Sequence, residues 1–383
     1  MTLQTPAPAA TDISSSLKTL AGLVSGQLSS HSLANFSPAA LDTLCVLAGR
    51  QGLAPLLYRQ LQQEALLSAL PQSGYERLLA AYAQTAGYNI LAFAAAQEWT
   101  RHLHAAGISG IWLKGLPLSL SVYPTPDTRP MVDIDVLVPV ADREAALRLA
   151  ESMTGSPAAT LKPDQAIHAV FQLGQGERVK MELHWSLIAP SSSRLAPELD
   201  WFYSRTMLLD TEFGSFLTLA PEAHLLYLCA HAQLGHGESQ LMLVRYLDMH
   251  YLIGNYNPLD WDQVIVQAAR FRWTYAVERA LWLAQAYFGS PIPEEALASL
   301  AAHRPADEDL SLVQQRSRPG TRWDRLRVRM QGEERTGQAR LALALLFPPP
   351  AYIRWRYQVA GWKVPFYYPY RWFDALREIA RSQ

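Results

Sequence analysis

The spacing of apolar positions along this chain switches from helical to strand-like and back. Ser37-Pro38 opens the first clear helix, with Ser as N-cap and Pro at the first helical position. Leu41, Leu44, Cys45, Val46 and Leu47 supply its apolar positions, and Leu56, Leu57 and Leu61 continue the pattern after Pro55. A longer helix from about Tyr75 to Ala106 carries Leu78, Leu79, Tyr82, Ile90, Leu91, Phe93 and Leu103 and stops at Gly107, which suits a C-cap. The period then shortens. Strands are expected over 110–114 and 133–138, with helices over 116–123 and 142–152. His168–Leu173 and Val179–Trp185 read as a hairpin turned at Gly174-Gln175-Gly176. From Pro197 onward the expectation is mainly helix. Leu225, Leu226, Leu228 and Cys229 fall in one helix, Leu241, Leu243, Val244, Tyr246 and Leu247 in the next, and further helices lie near 262–270 and 273–288.

This order predicts an α/β (α+β) fold, a small mixed sheet flanked by N- and C-terminal helical regions. The expected divisions are a disordered tail over 1–15, a helical region over 16–107 and a sheet-bearing core over 108–190. A helical region over 191–302 follows, then a polar linker or mobile loop over 303–321 and an Arg- and aromatic-rich segment over 322–383.

Two acids interrupt the second strand. Asp133 and Asp135 are two residues apart, so in extended chain they project side by side. Adjacent carboxylates raise each other's pKa, and a divalent cation relieves that repulsion. In Val179–Trp185 the alternation is strict, with Val179, Met181, Leu183 and Trp185 on one face and Lys180, Glu182 and His184 on the other. If the two strands are neighbours, Glu182 joins Asp133 and Asp135. Three carboxylates around Mg²⁺ suit two-metal phosphoryl or nucleotidyl transfer.

Leu113-Lys114-Gly115, a short helix, Arg129-x-x-x-Asp133-x-Asp135-x-Leu137-Val138 and then Glu182-x-His184-Trp185 together resemble the uncharacterised bacterial branch of the DNA polymerase β-like nucleotidyltransferases. The resemblance is densest over residues 100–190. It implies a nucleotidyltransferase core over 108–190 that moves NMP from an NTP to an acceptor and releases pyrophosphate. It also implies Mg²⁺, with two ions possible and Mn²⁺ as a substitute, held by Asp133, Asp135 and Glu182. Glu182 would in addition act as a base on the acceptor hydroxyl. Lys114, Gly115 and Arg129 would hold phosphate, and His184 would face the nucleotide. The chain departs from the wider superfamily in carrying Lys114-Gly115 where a Gly-Ser or Gly-Gly pair is usual, and Glu182 where Asp is frequent. The gap from Gly115 to Asp133 is also long. Arg129 either clamps phosphate or pairs with Asp133 or Asp135. His184 contacts substrate, orients Glu182 or simply bonds a carboxylate. A catalytically silent scaffold that binds a nucleotide or a partner protein is the second reading.

Composition narrows the partners. A net charge of −1 argues against a duplex-binding protein. No apolar run reaches the ~20 residues of a membrane span, and residues 1–10 lack the basic start of a signal peptide. The expected location is therefore the cytoplasm. Cys45 and Cys229 read as buried thiols rather than a disulfide. His224, His231, His236 and Asp248 invite a metal-hydrolase reading. His231 and His236 are five apart, however, and an α-helical face needs three or four. Arg245 and Asp248 suit a helix-surface pair or a wall facing the nucleotide. Arg316, Arg318, Arg322, Arg325, Arg327 and Arg329 read as a solvated face in preference to an RNA site. The aromatics from Tyr352 to Phe373 read as a segment wrapped over the core, with base stacking, a membrane surface or a partner protein as alternatives.

Overall fold

Two apolar clusters, one on each side of a sheet, organise the molecule. The computed structural model describes residues 15–155, 167–173, 179–188, 195–236, 241–304 and parts of 338–380. The expected tail before Ser15, the turn at Gly174-Gln175-Gly176, nearly all of the 303–321 linker and the Arg316–Arg329 series lie outside the described residues.

Helices α1 (Ser15–Val24), α2 (Pro38–Arg50), α3 (Ala54–Gln63) and α4 (Gln72–Ala105) come first. Ser37 caps α2, its side chain accepting from the Ala40 N–H, and Pro38 takes the first helical position. Gly107 adopts the left-handed conformation just beyond α4, at φ 71°. Strand β1 (Ile111–Leu113), helix α5 (Gly115–Ser121), strand β2 (Ile134–Leu137) and helix α6 (Arg143–Thr154) follow. Then come β3 (His168–Leu173), β4 (Val179–His184), the short α7 (Leu199–Tyr203), β5 (Thr206–Thr211) and β6 (Gly214–Leu219). Helices α8 (Pro221–Ala230), α9 (Leu243–Asn255), α10 (Trp261–Arg270), α11 (Thr274–Phe288) and α12 (Glu294–Ala302) form the later helical body. α13 (Pro350–Tyr357) and α14 (Val364–Ala380) end the described chain.

The sheet runs β3-β4-β2-β1-β6-β5. It is mixed: β2 is antiparallel to β1 but parallel to β4, and β6 is parallel to β1. The mixed α+β architecture is as the sequence pattern predicts. The mainly helical region expected after Pro197 is present from Pro221 on, but residues 206–219 form an unforeseen hairpin that completes the sheet. Polar residues interrupt both of its strands (Thr206, Asp210, Thr211, Ser215, Thr218), and Leu208 is 59% exposed. The hairpin thus lacks a clean apolar stripe and depends on pairing with β1, where the Thr218 hydroxyl donates to the Trp112 carbonyl at 3.0 Å.

On one side of the sheet, Trp112, Ile134, Val136, Met181, Leu183 and Phe171 pack with Phe93, Trp99 and Leu103 of α4. On the other, Ile111, Leu113 and Leu137 join the large core built by α1–α3 and α8–α11. Helix α4 reaches both cores, through Leu78 at one end and Leu103 at the other, and at 34 residues it is about 51 Å long. It is the spine between helical body and sheet.

The loop from α5 to β2 is tied down at several points. Asn89 of α4 donates to the carbonyls of Pro126 (2.7 Å) and Arg129 (2.9 Å), and Asn255 of α9 donates to that of Val122 (3.2 Å). Arg129 makes two parallel bonds to Asp248 of α9, Nε to Oδ1 at 2.9 Å and Nη2 to Oδ2 at 2.7 Å. Tyr123 donates to the same Oδ1 at 2.7 Å. Asp248 is buried, so the expected surface pair with Arg245 is not its role.

Near the C-terminus, Ile353 and Val364 are buried, while Trp362, Phe366, Tyr370 and Phe373 are exposed. Trp362 and the α14 residues Phe366, Tyr370 and Phe373 are therefore not folded onto the core as expected, whereas Tyr367 and Tyr368 are half-buried. Among the described residues, no helix is long and apolar enough to cross a membrane.

Breaking the Arg129–Asp248 fork leaves a buried charge without its partner. Arg129→Ala should cost about 3–5 kcal/mol in denaturant unfolding. Arg129→Lys should recover only part of that, since an ammonium cannot make both parallel bonds.

Candidate functional site

The polar face of the sheet is set by register. Parallel pairing of β2 and β4 places Asp135 directly opposite Glu182, and antiparallel pairing of β3 and β4 places His168 opposite His184. Alternation then sends Ile134, Val136, Met181 and Leu183 into one core and Asp135, Lys180, Glu182 and His184 to the opposite face. Asp133 lies just ahead of β2 on the same side. Lys114 enters from the end of β1.

These groups meet closely. Lys114 Nζ is 2.7 Å from Asp135 Oδ1, and His184 Nε2 is 2.9 Å from the same oxygen. Lys180 Nζ sits between Asp133 Oδ2 (3.0 Å) and Glu182 Oε1 (2.6 Å). The other oxygen of Glu182, Oε2, faces His184 Nε2 at 3.4 Å and His168 Nε2 at 3.8 Å. Lys180 and His168 are members that sequence reading did not assign. The period-2 pattern had placed Lys180 on the right face, but it gave no sign that the ammonium bridges two acids.

Charge pairing divides the carboxylates. Burial, then the neighbouring Asp135, raises the Asp133 carboxyl above its ordinary value. Burial would raise Asp135 too, but Lys114 and His184 outweigh it and hold that carboxyl down. Burial would raise the half-buried Glu182 as well, yet His184 and Lys180 hold it well below the carboxylate range. Burial opposes the charge on Lys180, but its bonds to Glu182 and Asp133 win and raise it to about 12. His184 follows the same logic, with burial outweighed by Asp135 and Glu182, so its pKa is raised.

Lys114 and Gly115 carry a backbone feature. Lys114 has φ 52° and ψ −119°, a region that glycine enters freely and other residues enter at a cost of about 1–3 kcal/mol. Gly115 is explained by packing, because a Cβ there would collide with the Arg129 guanidinium and the Met131 side chain. The Arg129 guanidinium, in turn, is committed to Asp248. The alternative pairing of Arg129 with Asp133 or Asp135 gives way to the pair with Asp248, which fastens the loop that delivers Met131 and Asp133.

The helical wall beside the site departs from α-helical spacing. After α8 the chain makes a π-turn over His231–His236, whose i→i+5 repeat brings residues five apart together. His231 Nε2 and His236 Nε2 are 3.1 Å apart as a result. In a regular α-helix, residues five apart would not share a face. Tyr227 lies close enough to Lys114 for the ammonium to act on its hydroxyl, and Lys114 and His184 are among the charges that depress His231 after burial. Asp248 and His224 do not join the pair: Asp248 is held by Arg129 and Tyr123, and His224 feels Arg129.

The acids offer oxygen donors of the kind a hard divalent cation takes, while the group whose ligand atoms lie within 4.8 Å of one another among the described residues is His168, Glu182 and His184. Asp133 and Glu182 already share one cation, the Lys180 ammonium, and Asp133 is the carboxylate left with a raised pKa. Lys180 is 35% exposed at its side chain.

A family described as uncharacterised nucleotidyltransferase matches residues 37–289 of the chain. Among solved structures, the chain is similar to an antigenic nucleotidyltransferase-like protein from Paracoccidioides brasiliensis. That likeness has 16% sequence identity and a TM-score of 0.36, and it covers 55% of this chain and 92% of the other. No curated protein matches.

The wall beside the site should make the fold acid-sensitive. Burial, then the Arg129 charge, pushes His224 down to about 3, so the unfolded chain binds its proton first. Its contribution is complete above pH ~6.5 and is lost as pH falls toward 3. Between pH 7 and 5 the loss should be about 2 kcal/mol from this group. Melting curves of wild type and His224→Gln at both pH values should show a smaller acid-induced drop in the variant.

Proposed function

The chain belongs to the uncharacterised nucleotidyltransferase family, and from that premise we propose that it transfers a nucleoside monophosphate from an NTP to an acceptor oxygen. The acceptor oxygen bonds the α-phosphorus, the bond from that phosphorus to the bridging oxygen breaks, and pyrophosphate leaves. The acceptor's proton passes to solvent or to a nearby base. Supporting this reading is the convergence of Asp133, Asp135 and Glu182 on one sheet face, with a cation already held between two of them.

Asp133, Asp135 and Glu182 would hold Mg²⁺, or Mn²⁺ in its place, which would neutralise triphosphate charge and acidify the acceptor hydroxyl. Glu182 suits ligation better than proton removal, because a carboxylate held well below its ordinary pKa is a weak base; of the two roles expected of it, the holding role is the one we favour. Asp133 gains most from a cation, since no bond to the chain outweighs its burial and the Asp135 charge. Lys114 supplies a point charge for phosphate within reach of Asp135. His184 orients Asp135 and Glu182. Arg129 acts through position, by fixing the loop before Asp133. The near-neutral net charge favours a small molecule, a peptide or a protein as acceptor over a duplex.

One observation favours the silent-scaffold reading: Lys114 and Lys180 can neutralise the carboxylates with no ion at all. Calorimetric titration separates the two. Non-hydrolysable analogues of the four NTPs should bind with Mg²⁺ and not without it. Asp133→Asn/Asp135→Asn should weaken that binding by about 100-fold, equivalent to about 2.7 kcal/mol. Absence of binding by every analogue would overturn the transferase reading and leave the scaffold.

A further inference from the structure

We propose that His168, His184 and Glu182 form a second metal site beside the carboxylate site, one that takes a transition-metal dication such as Zn²⁺ or Co²⁺ and not Mg²⁺. Glu182 is a ligand in the nucleotidyl-transfer reading as well, so this site rests on that reading at one residue.

The division of the Glu182 carboxylate carries the inference. Oε1 points to Lys180 and the Asp133 side, whereas Oε2 points to the two imidazoles. One carboxylate thus presents its two oxygens to two different cation positions. At the second position, one ring nitrogen each of His168 and His184 and a Glu182 oxygen all lie within 4.8 Å of one another. Ligands about 2.05 Å from a tetrahedral metal stand roughly 3.4 Å apart. The observed separations from Oε2, 3.4 Å to His184 and 3.8 Å to His168, need little closure to reach that value. Cross-strand pairing of His168 with His184 fixes the two rings at 4.8 Å between centroids, and this register is held by the whole β3–β4 ladder.

Donor type decides the metal. Two imidazoles and one carboxylate suit Zn²⁺, Co²⁺ or Fe²⁺, while Mg²⁺ takes oxygen ligands. Access is available because the His168 side chain is 33% exposed, although His184 is buried. His184 Nε2 also touches Asp135 Oδ1 at 2.9 Å. Ligation exchanges the Nε2 proton for the metal, and the neutral ring keeps its remaining proton on Nδ1. That atom has no hydrogen-bond partner among the described residues, whereas the Nε2–H bond to Asp135 Oδ1 gives way to the metal. The proton released goes to solvent.

The test uses the full chain, stripped of metal and without nucleotide, titrated with Co²⁺ and followed by visible absorption. The expected result is one saturable Co²⁺ with the strong visible bands of a four- or five-coordinate ion. A tenfold excess of Mg²⁺ should leave them unchanged and Zn²⁺ should remove them. His168→Gln, on an edge strand and partly exposed, should weaken Co²⁺ binding by at least 10-fold. Asp133→Asn should retain the bands, which separates this site from the carboxylate one. His184→Gln provides a second variant, and circular dichroism checks that both remain folded. A weak six-coordinate spectrum indifferent to His168→Gln would overturn the proposal. Co²⁺ binding lost in His168→Gln, together with no NTP binding, would uphold this site and sink the transferase reading. NTP–Mg²⁺ binding with no Co²⁺ site would do the reverse.

Discussion

Three carboxylates gathered on one face of a small sheet repel one another, and the fold can hold them only by supplying positive charge. Two unit charges 4 Å apart interact by about 4 kcal/mol at the effective dielectric of a protein surface. The chain answers with Lys114 from the end of β1 and with Lys180 and His184 from β4. Lys114 comes from the end of β1 and meets β2 at Asp135. Lys180, on β4, reaches back to Asp133 ahead of β2. His184 joins β4 to β2 through Asp135. The compensation is therefore also a set of cross-links between neighbouring strands, and the acid cluster and the sheet that carries it depend on each other.

A second tie operates at longer range. Asp248 on α9 holds both Arg129 and Tyr123, and Asn89 on α4 holds the loop between them. The segment leading into Asp133 is thus fixed from two helices that belong to different parts of the chain. Gly115 is required by the same arrangement, since the Arg129 guanidinium lies where its side chain would be. The glycine and the arginine, which look in the sequence like parts of a phosphate grip, are in the structure parts of one packing unit.

What was legible in the sequence was local. Two-residue spacing in Asp133-Ile134-Asp135 and Lys180–His184 was enough to put the acids on one face, and the expected juxtaposition of β2 and β4 is present in register. The capped start of α2 and the long reach of α4 followed from Ser37-Pro38 and Gly107. What escaped reading was set by partners far along the chain. Arg129 and Asp248 are 119 residues apart, and Lys180 and Asp133 are 47 apart, so no spacing rule connects them. The hairpin at 206–219 escaped because its apolar residues do not line one face. The His231–His236 contact escaped because a π-turn breaks the periodicity on which helix reading relies.

The register of β2 against β4 has a consequence for how this protein can change over time. Ile134, Val136, Met181 and Leu183 face a fully dry core, whereas their immediate neighbours Asp135, Glu182 and His184 face the acid cluster. Substitution at the first set is judged by packing, and at the second by charge and ligation. Because adjacent codons answer to different demands, the chemistry of the cluster is open to drift or adaptation without repacking the interior. A one-residue insertion or deletion within either strand would exchange the two roles at every position at once, so the site is tolerant of substitution and intolerant of frame.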